Sequence, residues 1–203
     1  MMIRPARDAD LDPIARIYDE ILDLEDARPV SYTNWQRGRY PTRDTARQAL
    51  EEGTLWVLEE EGAVCGCVNL NGIQLPEYSQ IPWSIPAAPE EVGVIHTLVI
   101  RPSLSGRGLA RRLVDFCEEE LRRQGKRAVR LDTYIHNVPA NAMYPRLGYR
   151  FAGSGDFLFQ DFLPLISHLS SFPLETFPNR PTCLPPSLTQ GWATQNPHPF
   201  PAS

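Results

Sequence analysis

The spacing of apolar residues changes several times along the chain, and each change predicts an element. Ile3, Arg4, Pro5 and Ala6 predict a short first strand. Asp8 or Asp10 can then cap a helix in which Leu11, Ile14, Ile17, Tyr18, Ile21 and Leu22 recur at three- and four-residue spacing, the signature of one apolar stripe. Over 23–40 that period is lost among acids, arginines, Tyr32 and Trp35, which predicts a loop. Such a loop either covers a pocket or is a surface connection with two packed aromatics. Pro41 and Thr42 start a second helix that runs through Leu50 and ends near Gly53. Residues 54–60 and 63–71 are strand-like runs separated by Glu61 and Gly62, so they should pair as a hairpin. Pro76, Pro82, Pro86 and Pro89 then mark a rigid loop carrying Tyr78 and Trp83.

The stretch 91–148 organises the rest. Val92, Val94, Ile95, Val99 and Ile100 read as a buried strand, and Pro102 ends it because proline cannot donate to a ladder. A short turn with Gly106 and Gly108 follows, and then Leu109, Leu113, Cys117 and Leu121 recur every four residues along a helix. Strand, glycine turn and helix together present unpaired backbone N–H groups and the positive end of a helix dipole to an anion, so a phosphate-bearing ligand is expected there. Residues 126–134 form another strand, with Val129 and Leu131 on one face and Arg130 and Asp132 on the other. Asn137 can cap the next helix, Pro139 is tolerated in its first turn, and Gly148 ends it. Two last strands are expected at 149–152 and 157–162. From 164 to 203 the chain holds nine prolines with Ser, Thr and Gln and no periodicity, so the domain is placed at 1–163 and 164–203 is expected to be a disordered tail.

Composition narrows the class. With 203 residues and 42% hydrophobic residues the chain can bury one full core but not two large ones. Its net charge of −5 is spread along the sequence, which argues against an extended nucleic-acid surface. Basic residues cluster at Arg107, Arg111, Arg112, Arg122 and Arg123, of which Arg107 and Arg111 flank the glycine turn. Cys65 and Cys67 lie two apart in a strand and should share a face as small core residues rather than act as metal ligands; no metal site is expected. With no charged-then-apolar N-terminal signal and no bilayer-length apolar run, the expected setting is the cytoplasm and no membrane partner is expected.

The order of strand, Pro102, Ser105-x-x-Gly108-x-Ala110, amphipathic helix, strand, then Asn137-x-x-Ala140-x-x-Met143-Tyr144-x-x-x-Gly148-Tyr149 resembles the GNAT-type N-acetyltransferase superfamily over residues 3–163. Ser105 stands where the family turn usually begins with Gln or Arg, a departure that leaves a backbone cradle intact. The resemblance implies an α+β (α/β three-layer) fold: a mixed, mostly antiparallel twisted sheet of about six to seven strands with helices on both faces, splayed at the fourth and fifth strands. It implies acetyl-CoA as co-substrate, with the amides of Gly106, Arg107, Gly108, Leu109, Ala110 and Arg111 facing the pyrophosphate. The main chain at Leu98, Val99 and Ile100 would pair with the pantetheine arm and polarise the acetyl carbonyl. Asn137 matches the asparagine beside that arm, and Tyr144 the tyrosine that returns a proton to the departing thiolate.

An amine must lose a proton before it attacks a thioester, and three residues are candidates for accepting it. Asp132 and His96 stand level, the first on the strand before Asn137, the second on the strand that would hold the acetyl group; Glu91, at that strand's start, is third. Trp35, Gln74, Tyr78 and Trp83 are candidates for lining an acceptor pocket, or for stapling long loops to the sheet. The expected activity is acetyl transfer to a primary amine of a small molecule or amino-acid-like acceptor, with a peptide amine also compatible and a homodimer implied as a common family arrangement. The alternative is a catalytically silent acetyl-CoA sensor or partner-binding module of the same fold. A dinucleotide-binding reading fits poorly, because the glycine turn comes late, lacks a third glycine and follows a hairpin region.

Overall fold

A computed structural model describes residues 1–159 and 163–174. Seven strands form one sheet: β1 (Met2–Pro5), β2 (Leu55–Glu60), β3 (Ala63–Asn71), β4 (Val92–Ile100), β5 (Ala128–Tyr134), β6 (Arg150–Phe159) and β7 (Leu163–Pro173), in the order β1-β2-β3-β4-β5-β7-β6. Every pairing is antiparallel except β4 with β5. The parallel pair needs a crossover, and α3 (Leu109–Arg123) provides it. The expected α+β sheet with helices on both faces is therefore the fold observed. Helices α1 (Leu11–Asp26) and α2 (Arg43–Glu51) pack on one face, where Ile14, Ile17, Tyr18, Ala46 and Ala49 meet Val57, Val64, Cys67 and Val99. On the other face α3 lays down Leu109, Leu113, Val114, Cys117 and Leu121, the stripe read from the sequence, and α4 (Val138–Arg146) adds Tyr144.

Local chemistry explains where the helices begin. Thr42 caps α2, its hydroxyl accepting from Thr45 N at 3.2 Å. Asp10 plays a different part from the cap expected of it: its backbone is already helical, and its carboxylate accepts from Arg7 N at 2.7 Å and pairs with Arg4 at 2.6 Å. That carboxylate, nearly buried, is held below its ordinary range chiefly by the Arg4 guanidinium.

Three readings of the sequence change. Cys65 and Cys67 lie on opposite faces, because Leu58 pairs with Gly66 and Glu59 with Val64, leaving Cys65 as the extra residue of a β-bulge. One inserted residue inverts the alternation, so Cys65 joins the α3 core and Cys67 the α1–α2 core. The two short strands expected at 149–152 and 157–162 are one strand, β6; residues 160–162 lie outside the described ones. The domain also extends past 163, since β7 lies between β5 and β6 and pairs with both. Leu169, Ser170 and Ser171 on it are buried, so residues 164–173 belong to the sheet, and of the tail only 175–203 lie outside the described residues.

The feature that positions the site is a divergence. β4 pairs with β5 only through Val92, Gly93 and Val94, although both strands continue for several residues. Beyond that point the two strands part, and the hydrogen-bonding edge of β4 from Ile95 onward is left without a β5 partner.

Candidate active site

The gap between β4 and β5 opens a cavity of about 140 Å³ that is lined from both sides of the sheet. Ile95, His96, Thr97 and Leu98 of β4 form one wall and Asp132, Thr133 and Tyr134 of β5 the other. Asn137, Ala140 and Tyr144 reach it from α4 and its cap, and Tyr32, Thr33, Asn34, Trp35 and Tyr40 from the loop between α1 and α2. That loop therefore covers a pocket.

β4 is bulged where it meets the cavity. Cys67 pairs with Val99 and Asn69 with His96, so Val68 alone opposes both Thr97 and Leu98. Thr97 has φ 47°, a left-handed backbone that a β-branched residue rarely adopts and that marks stored strain. Its hydroxyl is hydrogen-bonded to the Tyr40 hydroxyl, tying the bulge to the covering loop. Burial pushes the Tyr40 phenol up to about 12.

His96 is oriented through Nε2, which lies 3.1 Å from Asn71 Oδ1 and 3.1 Å from the Ile73 carbonyl. A backbone carbonyl can only accept, so Nε2 carries the proton and Nδ1 of the neutral ring keeps its lone pair. Burial lowers the imidazole's pKa, and the nearby Asp132 carboxylate only partly offsets this. Asp132 is itself held by Tyr78, whose hydroxyl donates to Oδ1 at 2.7 Å. Tyr144 is buried with its ring 5.1 Å from that of Tyr149, and burial pushes its phenol well above its ordinary value, so it enters the cavity as a neutral O–H.

The glycine turn lies at the N-terminus of α3. Gly106 and Gly108 have φ of 80° and 75°, which favours glycine, and a Cβ at either would meet no heavy atom within 4 Å. The space beside them is open. The first helical bond runs from Arg112 N to Gly108 O, so the amides just before Arg112 have no intrahelical acceptor. Open space, free amides and the unpaired edge of β4 suit a ligand with a phosphate at one end and an amide-bearing arm at the other. Arg107 pairs with Glu60 at 3.0 Å and Arg111 lies 3.6 Å from Asp115, so both side chains are engaged along the protein surface.

The other expected site residues are placed as follows. Leu98 lines the cavity, Val99 is buried against α1 and α2, and Ile100 packs on the α3 side. Asn137 does cap α4, accepting from Ala140 N at 3.1 Å, and faces the cavity as well. Glu91 is not brought to the cavity: it stands at the far end of β4, accepting from Ala88 N at 2.9 Å and 3.4 Å from Arg127. Of the aromatic candidates only Trp35 lines the cavity. Tyr78 and Trp83 staple the proline-rich loop to β4, β5 and β7, with Arg130 lying 4.4 Å over the Trp83 ring and donating to Gln74. Tyr78 thus serves the site from behind, through Asp132. Tyr40, Thr97 and Tyr134 were not singled out by sequence, whereas Tyr32 was named only as an aromatic of the loop; of the three, Tyr134 carried a signal, sharing the face of Asp132 by strand alternation.

A splayed mixed sheet with a bulged β4, an open glycine turn and a tyrosine facing the gap is the arrangement that the resemblance to acetyl-CoA-dependent transferases implies. The chain belongs to the acetyltransferase (GNAT) family, whose profile matches residues 18–149. Among solved structures it is similar to an N-acetyltransferase from Staphylococcus aureus Mu50, 20% identical with a TM-score of 0.63, covering 86% of this chain and 98% of that one. It is likewise similar to yncA of Salmonella typhimurium, solved with its cofactor acetyl-CoA (20%, TM-score 0.63, 90% and 99% covered). A third is the ribosomal-protein-alanine N-acetyltransferase of Brucella melitensis (20%, TM-score 0.63, 85% and 99% covered). No curated protein matches the sequence significantly. Among the described residues no group of three or more His, Cys, Asp or Glu is placed to hold a metal ion, and no helix is long and apolar enough to cross a membrane.

Proposed function

We propose that the protein moves an acetyl group from acetyl-CoA to an amine nitrogen by direct attack within a ternary complex. One observation carries this reading: the cavity in the sheet gap brings Tyr144 and Asn137, from α4 and its cap, together with His96 of β4 and Asp132 of β5. The acetyl-CoA bound to the Salmonella neighbour and the amine named for the Brucella enzyme support the same class of reaction.

Acetyl-CoA supplies the thioester. The amides of 106–111 would hold its pyrophosphate, and the free edge of β4 its arm and acetyl carbonyl. The amine arrives as an ammonium ion, and His96 Nδ1 accepts one of its protons, since Nε2 is fixed as the donor to Ile73. As the C–N bond forms and the C–S bond breaks, Tyr144 gives its hydroxyl proton to the sulfur, and the acylated nitrogen loses its second proton. That second proton restores the Tyr144 hydroxyl and His96 releases the first to solvent, so the net products are an amide, a thiol and one proton. Asp132, anchored by Tyr78, holds the cation in place before attack.

A thiol-release assay with acetyl-CoA and a panel of primary amines tests this. At least one amine should release thiol well above hydrolysis, whereas tight acetyl-CoA binding with no release from any amine would replace the proposal with the silent-sensor alternative.

A further inference from the structure

The cavity's charge and lining limit what the acceptor can be. Resting on the acetyl-transfer reading above, we propose that the acceptor is a primary ammonium cation with an apolar, ring-sized body and no carboxylate, seated on Asp132 among Trp35, Tyr40 and Tyr134. Three observations carry this.

First, Asp132 is the one carboxylate among the described lining residues, and Tyr78 occupies only its Oδ1. Among the described residues the Asp132 carboxylate makes no other hydrogen bond or ion pair, so it has acceptor capacity left for an ammonium group. Second, none of the lining residues is Lys or Arg. An acceptor carboxylate would therefore enter a site that already holds one negative charge and, among the described residues, offers no lysine or arginine to pair with it, and burying an unpaired charge is costly. Free amino acids are disfavoured on that ground. Third, Trp35 and Tyr40 stand edge to face with centroids 6.0 Å apart, and Tyr134 faces the same cavity. Aromatic faces attract a desolvated cation and give an apolar body contact area. The small volume and the covering loop favour a small molecule over a polypeptide terminus.

Calorimetry on the full chain, saturated with coenzyme A so that no transfer can occur, tests this with tyramine, tyrosine amide, free tyrosine and a short tyrosine-led peptide. Tyramine and tyrosine amide should bind, and tyrosine roughly 30-fold more weakly, as expected for an unpaired buried charge. Asp132→Asn, which keeps an oxygen for Tyr78, and Trp35→Leu should each weaken tyramine at least about tenfold, with unfolding curves checking that both variants are folded. Equal or tighter binding of tyrosine, tighter binding of the peptide, or no binding of tyramine would overturn the assignment. Thiol release on the same compounds scores the transfer reading separately. Tyramine binding without release keeps the pocket assignment and removes acetyl transfer; release confined to carboxylate-bearing acceptors does the reverse.

Discussion

In the proposed transfer, Tyr144 and His96 divide the proton traffic by their surroundings. A phenol pushed up by burial is a donor at every working pH, and a buried imidazole with Nε2 committed to a carbonyl is an acceptor at Nδ1. Tyr144→Phe removes the donated proton and little volume, so kcat should fall on the order of 10²-fold while KM for the amine stays near its value; steady-state kinetics decide. Unchanged turnover across pH would remove Tyr144 from the reaction. In the proposed reaction the neutral ring of His96 is the working form, and burial holds its folded pKa below the ordinary 6.5. Activity should therefore persist down through pH 6.5 and be lost only as pH falls through that lowered value. His96→Ala should lower kcat/KM by about 10²-fold at neutral pH and recover at high pH, where more of the amine is already free. If Asp132→Asn alone shows that high-pH recovery, the base is Asp132 and His96 is structural. Tyr144 and Asn137 were legible in sequence because both sit in one short helix at fixed spacing, whereas Glu91 was drawn in only by nearness along the chain, and β4 carries it to the far end.

Elements differ in how much they reveal. Helix α3 was readable because its stripe follows the helical period without interruption and every residue of it is buried. Bulges were not: nothing local to Cys65 or Thr97 announces an extra residue, and register is decided across strands, by Gly66 meeting Leu58 and Val99 meeting Cys67. The turn before α3 falls between these cases, since glycine signals the backbone but not the ligand. With φ near 75° at Gly108, an alanine there would cost about 1–2 kcal/mol of local strain and place a methyl where the cradle is now open. Gly108→Ala should therefore raise KM for acetyl-CoA severalfold, with KM for the amine unchanged and the unfolding midpoint a few degrees lower. A variant impaired for the amine alone would place the donor's phosphates somewhere else.

At the scale of the molecule, the end of the domain was the least legible feature. Residues 164–173 carry two prolines and four serine or histidine side chains, a composition that argues against a central strand. Yet Pro164 and Pro173 sit near the two ends of β7, pairing with Leu158 and Ala128, where a missing N–H costs least. Ser170 and Ser171 are buried because the strand lies between two neighbours; the small side chains leave room for Phe172 to reach Tyr149, 5.2 Å between centroids. Position in the sheet overrides composition here, and single-sequence patterning has no access to that position. The consequence is a sharp boundary for truncation. A chain ending at residue 163 loses β7, exposes the edge of β5 from Ala128 to Tyr134, and leaves β6 with no strand to pair with. It should fail to unfold cooperatively and should aggregate. A chain ending at residue 174 keeps all seven strands and the bond from Leu174 N to Arg127 O at 2.8 Å, so it should retain a cooperative transition within a few degrees of the full chain and bind acetyl-CoA comparably. Thermal unfolding of the two fragments beside the full chain makes the comparison, and a cooperative, acetyl-CoA-binding 1–163 fragment would mean that β7 is an accessory strand rather than part of the sheet that holds the site.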